Sequence, residues 1–93
     1  MKWFKSFEGL IDTVTIGRMF AMVRTSAGSE LVYRPVRIDN DYVIMRKLYV
    51  GPEPEVSYIF RSQDKNMVIN VMREILNEAL QIAVDLANWR YNK

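Results

Sequence analysis

The sequence of residues 64–89 is DKNMVINVMREILNEALQIAVDLANW, and its apolar residues recur every three or four positions. This spacing predicts a single amphipathic α-helix. About 26 residues at ~1.5 Å each give ~39 Å of helix. A compact domain of 93 residues has a diameter of only ~30–35 Å. The helix is therefore predicted to kink, to overhang or to be covered by a second chain.

Two apolar runs are predicted on this helix. The first is expected to pack on a sheet and consists of Val68, Val71, Met72, Ile75, Ala79, Ile82, Ala83 and Leu86. The second flanks it and is the predicted self-interface: Ile69, Leu76, Leu80, Val84 and Ala87. Together the runs cover about half the circumference, more than the ~100° that a core stripe needs. A sheet that curls around the helix explains this width equally well, and the excess length favours the interface.

Four β-like runs precede the helix, at residues 18–25, 30–38, 42–50 and 55–61. Their short connectors favour antiparallel hairpins, because parallel strands need crossovers of a dozen or more residues. Residues 3–14 carry apolar side chains at helical spacing, although Thr13-Val14-Thr15 is also compatible with the start of a strand. We therefore predict an α+β fold in a single domain, residues 1–93. It has a short N-terminal helix, a four-stranded antiparallel β-sheet and a long C-terminal amphipathic helix packed on one face.

Two local signals refine this fold. Pro35 cannot donate a hydrogen bond to a sheet ladder, so a β-bulge is expected there in an otherwise plain meander. Either Ser62 or Asp64 is suited to cap the first turn of the helix, and the Asp64 carboxylate favours the positive end of the helix dipole.

The composition excludes several kinds of chemistry. The chain has no Cys and no His, which removes the usual zinc ligands, the commonest general base and the thiolate nucleophile. Its four glycines do not cluster, so no phosphate-binding loop is predicted. Glu74 and Glu78 are one helical turn apart on the predicted polar face, where a solvated pair of like charges is expected. We therefore predict a protein that is not an enzyme, with no metal, cofactor or small-molecule substrate.

Hydropathy and charge point away from membranes. No stretch reaches the ~18 consecutive apolar residues of a transmembrane helix, and the N-terminus lacks the apolar core of a signal peptide. A cytoplasmic location without membrane contact is expected. The formal net charge of +2 falls short of the footprint of a dedicated duplex-DNA binder.

Surface complementarity to another protein is the favoured function. We expect a small adaptor, an inhibitor or an assembly subunit that forms a homodimer and binds an unknown protein. Aromatic residues near both ends of the chain are the predicted partner-binding set: Trp3, Phe4, Phe7, Trp89 and Tyr91. Aromatic side chains are enriched at protein interfaces. A small, cysteine-free binder of this kind would suit a virus-encoded modulator of a host factor.

Binding of single-stranded DNA or RNA is the alternative function, because cations neutralise phosphates and aromatic rings stack on bases. The candidate residues are Arg34, Arg37, Arg46, Lys47, Tyr49 and Arg61. Over residues 16–89, the order of four strands and a helix is similar to that of small single-strand binders of the Whirly-like kind. That resemblance implies strand binding by the sheet and pairing through the helices. Strand alternation places Arg46 and Lys47 on opposite faces of the sheet, and the modest net charge favours protein binding.

Overall fold

The computed structural model describes residues 2–91. Five strands are followed by one long helix: β1 (Ile11–Gly17), β2 (Phe20–Thr25), β3 (Glu30–Ile38), β4 (Asp41–Tyr49), β5 (Glu55–Ser62) and α1 (Lys65–Tyr91). The strands form one antiparallel sheet in the order β1-β2-β3-β4-β5, so each strand pairs with its neighbour in sequence. α1 contacts all five strands. The predicted α+β class, antiparallel sheet and long C-terminal helix are confirmed.

The N-terminal segment differs from the prediction. The expected N-terminal helix is wrong, because only a single 3₁₀ turn forms at Lys5–Phe7. The expected count of four strands is also wrong, because Ile11–Gly17 adds a fifth. Gly9 has φ of 78°, a left-handed conformation that glycine adopts without strain, and it separates the turn from β1. The β-branched residues that follow then favour an extended strand.

α1 is a single helix of 27 residues that crosses the whole sheet. It begins beside β5 and ends against β1, where the Arg90 guanidinium lies 3.1 Å from the Asp12 carboxylate. The molecule measures 49 × 30 × 19 Å. It is therefore elongated, and its longest dimension accommodates the helix. The length of the helix therefore does not by itself support the second chain that was considered from the sequence.

Asp64 is the N-cap of α1. Its Oδ1 accepts a hydrogen bond from the Asn66 amide at 2.9 Å, and its carbonyl accepts one from the Met67 amide at 3.2 Å. Ser62 Oγ accepts a hydrogen bond from the Asp64 amide at 3.0 Å. The predicted capping is confirmed, with Asp64 in the cap position and Ser62 supporting it.

Pro35 lies on the part of β3 that extends beyond β2. β2 pairs with residues 30–33 of β3, whereas the ladder between β3 and β4 continues through the pair of Pro35 and Ile44. The ring nitrogen of Pro35 therefore faces the side that β2 has left, where no ladder hydrogen bond is lost. The bulge predicted at Pro35 is wrong, and the register instead shifts between Ile44 and Met45 on β4.

The core lies between α1 and one face of the sheet. α1 buries Val68, Met72, Ile75, Ala79 and Ile82. All belong to the first predicted run, which is confirmed. The opposing buried strand residues are Ala21, Val23, Leu31, Tyr33 and Ile44. Phe4 and Phe7 complete this core from the N-terminal segment. The opposite face of the sheet is called the open face below.

Candidate functional site

The open face carries the strand residues that alternate with the core set, since cross-strand partners share a face. Its larger side chains are Phe20, Met22, Arg24, Val32, Arg34, Val36, Val43, Met45, Lys47, Tyr49, Val56, Tyr58 and Arg61. Val43 and Met45 are buried although α1 lies on the other face. Val43 pairs with Arg61 and Met45 pairs with Tyr58 on β5, and long side chains of this kind are suited to cover apolar neighbours on the same face. The open face thus has an apolar floor beneath polar side chains.

An open depression of about 700 Å³ lies on this face. It is lined by Arg18, Met19, Phe20, Val32, Arg34, Pro35, Met45, Lys47 and Tyr49. Arg18 and Phe20 are absent from the residues predicted from sequence, because β1 was not recognised. Once β1 is placed, the two-residue connection after Gly17 identifies a hairpin turn that brings both residues to the sheet.

Gly17 makes room for the ring of Phe20 in this depression. The two residues are cross-strand partners, and a Cβ atom on Gly17 would lie 2.0 Å from Cε1 of the ring. Any side chain at this position would therefore displace the ring. The glycine sets where the Phe20 ring lies.

Two cations of the open face are neutralised by carboxylates on the same face. Arg24 Nε donates a hydrogen bond to Glu30 at 2.9 Å. Arg61 Nε donates a hydrogen bond to Asp41. Surface pairs of this kind contribute little to stability, but they remove these two guanidinium groups from the uncompensated charge of the face.

Three other cations remain without such a partner. Within residues 2–91, no carboxylate lies at ion-pair distance from Arg18, Arg34 or Lys47. All three line the depression, and Lys47 Nζ lies 5.2 Å from the ring centroid of Tyr49. The depression therefore combines uncompensated positive charge with aromatic rings.

Arg37 and Arg46 lie on the helix-covered side of the sheet, so the predicted split of the cations between faces is confirmed. Arg46 Nε donates a hydrogen bond to Tyr33 Oη at 3.3 Å, and Tyr33 Oη donates one to the Trp3 carbonyl. The Arg37 guanidinium lies 5.2 Å from the ring centroid of Tyr42. Both arginines interact with tyrosine side chains on the helix-covered side of the sheet. Neither of them lines the depression.

Burial raises the pKa of Tyr33 above its usual value, and the neighbouring Arg46 opposes this shift. Tyr33→Phe should lower the free energy of unfolding by about 1 kcal/mol at neutral pH, because the Trp3 carbonyl loses its donor. A raised folded-state pKa means that neutral Tyr33 contributes this stability fully below about pH 10 and loses it at higher pH. The difference between wild type and variant should therefore be constant from about pH 7 to 9 and shrink above about pH 10. Urea unfolding at each pH measures it, and a difference unchanged at pH 11 would contradict the assignment.

Glu78 holds the N-terminal segment. Its carboxylate accepts backbone hydrogen bonds from three consecutive residues, Lys2 at 3.0 Å, Trp3 at 2.9 Å and Phe4 at 3.1 Å. The solvated pair of Glu74 and Glu78 predicted from sequence is therefore wrong for Glu78, which is partly buried. Its partners are backbone groups, which leave no pattern in the sequence.

The predicted partner-binding residues fall into two groups. Phe4 and Phe7 are 0% and 6% exposed, so they are core residues and the folded chain cannot offer them to a partner. Trp3 is partly buried. Trp89 and Tyr91, at the end of α1, are 57% and 89% exposed.

The predicted self-interface is only partly at the surface. Ile69 and Leu76 are partly buried, and Leu76 packs against the core. Leu80 and Val84 are 55% and 44% exposed, and Ala87 is exposed beside β1.

Comparison with models of protein families, with curated proteins and with solved structures found no match to this sequence. Five strands, one more than the resemblance assumed, precede the helix. In residues 2–91, no cluster of acidic side chains is arranged to hold a metal ion, and α1 is too polar to cross a membrane. The function is therefore inferred from the geometry of the surfaces.

Proposed function

We propose that the open face binds single-stranded DNA or RNA, without catalysis. The observation that carries this proposal is the meeting of Arg18, Arg34 and Lys47, unpaired with any carboxylate of residues 2–91, in one depression. Cations of this kind neutralise phosphates. Phe20 and Tyr49 line the same depression and offer rings on which bases stack.

The shape of the face favours a single strand over a duplex. Reading a duplex requires a helix or a two-stranded ribbon that enters a groove, whereas α1 lies on the other side of the sheet. Aromatic rings in an open depression are suited to unpaired bases, whose faces are accessible. A net charge of +2 is consistent with weak, salt-sensitive binding.

Non-enzymatic protein binding is the second candidate function. A groove of about 500 Å³ at the end of α1 favours it, because Ile11, Ile82, Leu86 and the exposed Trp89 give it an apolar lining. An apolar groove with a polar edge is a common protein-binding feature. Protein binding at this groove would leave the uncompensated cations of the open face without a role. We therefore prefer binding of single-stranded DNA or RNA as the proposed function.

A fluorescent oligo-dT strand should bind with an affinity that falls as salt rises. The logarithm of the association constant should fall linearly with the logarithm of the salt concentration. Each phosphate contact contributes ~−0.7 to the slope of this plot, so three contacts predict a slope of about −2. Replacing both Arg34 and Lys47 with alanine should reduce the slope to about −0.7 and weaken binding at least about 10-fold at low salt. Fluorescence anisotropy between about 50 and 200 mM salt measures both quantities.

Matched variants separate strand binding from general attraction to anions. Lys5→Ala with Lys65→Ala removes the same charge away from the open face, and should leave the slope unchanged. Tyr49→Ala should weaken binding about 10-fold at constant slope, because a base stack contributes ~1–3 kcal/mol. Polyglutamate should compete poorly at equal charge concentration. Equal weakening by the two double variants, or equal competition by polyglutamate, would contradict strand binding and leave protein binding as the candidate.

A further inference from the structure

Tyr58 and Val56 are exposed side chains of β5, the strand at one edge of the open face. They are 58% and 45% exposed, whereas Phe20 and Tyr49 in the depression are half-buried. Tyr58 pairs with Met45, and Met45 lines the depression. Tyr58 therefore lies next to the depression without being one of its lining residues.

An irregularity in β5 gives Tyr58 this position. Continuing the ladder from the pair of Val43 and Arg61 without a shift would put Ile59 opposite Met45, and Tyr58 would then point to the helix-covered face. The register shifts here, so Tyr58 is the residue that pairs with Met45 and Ile59 is the extra residue of a β-bulge. Bulges re-aim side chains and are frequent next to active sites. The bulge thus brings an aromatic ring to the open face.

The strand register aligns two aromatic residues in one row across the sheet. Arg34 pairs with Met45, and Met45 pairs with Tyr58. The ladder between β2 and β3, extended by one residue, puts Phe20 next to Arg34 at the other end of the row. Adjacent strands are ~4.8 Å apart, so the ends of this row, on β2 and β5, are ~14 Å apart. Successive bases in a stacked strand are only ~3.4 Å apart, so these two rings are suited to different, non-adjacent bases.

The charges of the open face favour a nucleic-acid strand that follows this row. Towards the turn between β3 and β4, it would instead meet the carboxylates of Asp39 and Asp41, which lie beside Arg61. Carboxylates repel phosphates. Towards β5, the row continues through the apolar Met45, with Lys47 two residues further along β4 on the same face. The direction towards β5 therefore combines an apolar surface with a cation.

We propose that a strand bound in the depression continues across β4 and stacks a second base on Tyr58. The ligand is then a run of several unpaired nucleotides that lies across the β-strands, and not a single base held in the depression. Val56, two residues earlier on the same face of β5, adds apolar surface beside the ring. This inference rests on the proposed binding of single-stranded DNA or RNA.

Tyr58→Ala should weaken binding of the oligo-dT strand about 10-fold, because one base loses its stacking partner. The salt slope should not change, since no charge is removed. Tyr58→Phe keeps the ring and should bind like wild type, whereas Tyr58→Leu keeps an apolar side chain without a ring and should bind like Tyr58→Ala. Tyr91→Ala is the matched control, because Tyr91 is 89% exposed at the end of α1, and it should bind like wild type.

A strand of equal length that lacks its bases separates stacking from any change in the fold. It carries the same phosphates, so Tyr58→Ala should bind it as tightly as wild type does. Combining Tyr49→Ala with Tyr58→Ala should weaken oligo-dT binding about 100-fold, because losses at two rings that hold different bases are additive. Fluorescence anisotropy measures each affinity, and circular dichroism verifies the fold of each variant. Tyr58→Leu replaces Tyr58→Ala in these comparisons if the alanine variant does not fold.

Two results would overturn this inference alone. The first is a Tyr58→Ala chain that binds oligo-dT like wild type while Tyr49→Ala weakens binding, which would confine the strand to the depression. The second is equal weakening of oligo-dT and the base-free strand by Tyr58→Ala, which would show that the ring supports the sheet and not a base. A wild-type chain that does not bind oligo-dT would overturn the proposed function as well.

Discussion

Replacing Glu78 by alanine should lower the free energy of unfolding by about 3 kcal/mol, because three backbone N–H groups lose one charged acceptor. A hydrogen bond to a charged group contributes about 1.5–3 kcal/mol. The partial exposure of Glu78 keeps the total below the sum for three such bonds. The segment containing Lys2, Trp3 and Phe4 should also detach, so its amide hydrogens should exchange faster. Urea denaturation measures the free energy, and hydrogen exchange measures the detachment.

The neighbouring glutamate provides the control. Glu74 is exposed one helical turn earlier on the same helix, and Glu74→Ala should change stability by less than about 0.5 kcal/mol. Glu78→Gln should fall between the two alanine variants, because its amide oxygen still accepts hydrogen bonds but carries no charge. If Glu78→Ala is no more destabilising than Glu74→Ala, the carboxylate does not hold the N-terminal segment.

Phe4→Ala should lower the free energy of unfolding by about 4 kcal/mol, the largest effect expected for a single residue outside α1 and the sheet. Loss of a buried phenylalanine costs about 3–5 kcal/mol, and Phe4 is 0% exposed. Its ring also meets Tyr33 edge-on, with centroids 5.2 Å apart and planes at 90°. Urea denaturation checks the value, with exposed Leu10→Ala as control. A cost under about 1 kcal/mol would show that the N-terminal segment is not part of the core.

Glu78 and Phe4 should not act independently, because both hold the same segment. The double variant should lose about 4–5 kcal/mol, well below the sum of the single losses, since the second change removes contacts already lost. Additive losses would mean that the segment is bound at two separate points.

The helix could be predicted from the sequence because several independent features of the sequence indicate the same element. Apolar spacing, the Asp64 cap and the absence of Gly and Pro point to one element, and α1 matches it closely at both ends. β1 was missed because the helical spacing of residues 3–14 continues through Ile11 and Val14, which belong to the strand. Phe4 and Phe7 fit a helical spacing, but the left-handed Gly9 breaks the segment between them and the β-branched residues of β1.

The candidate site was only partly readable. The alternation of side chains along a strand correctly assigned Arg46 and Lys47 to opposite faces of the sheet, because consecutive residues of a strand point to opposite faces. It could not show which cations meet a carboxylate, since Arg24 and Glu30 are brought together by pairing across strands. Arg18 lies in a turn, where no period applies. Pro35 was misjudged because its effect depends on where β2 ends, which is a tertiary fact.

The position of α1 after all five strands has a consequence for folding kinetics. Each strand pairs with its neighbour in sequence, so the hairpins close short loops and can form early. Glu78 binds residues 74 to 76 positions away along the chain, a contact that can form only after the helix has docked. The sheet has no cover for its apolar face until α1 has been synthesised, so we expect the chain to be most prone to aggregate at that stage of synthesis.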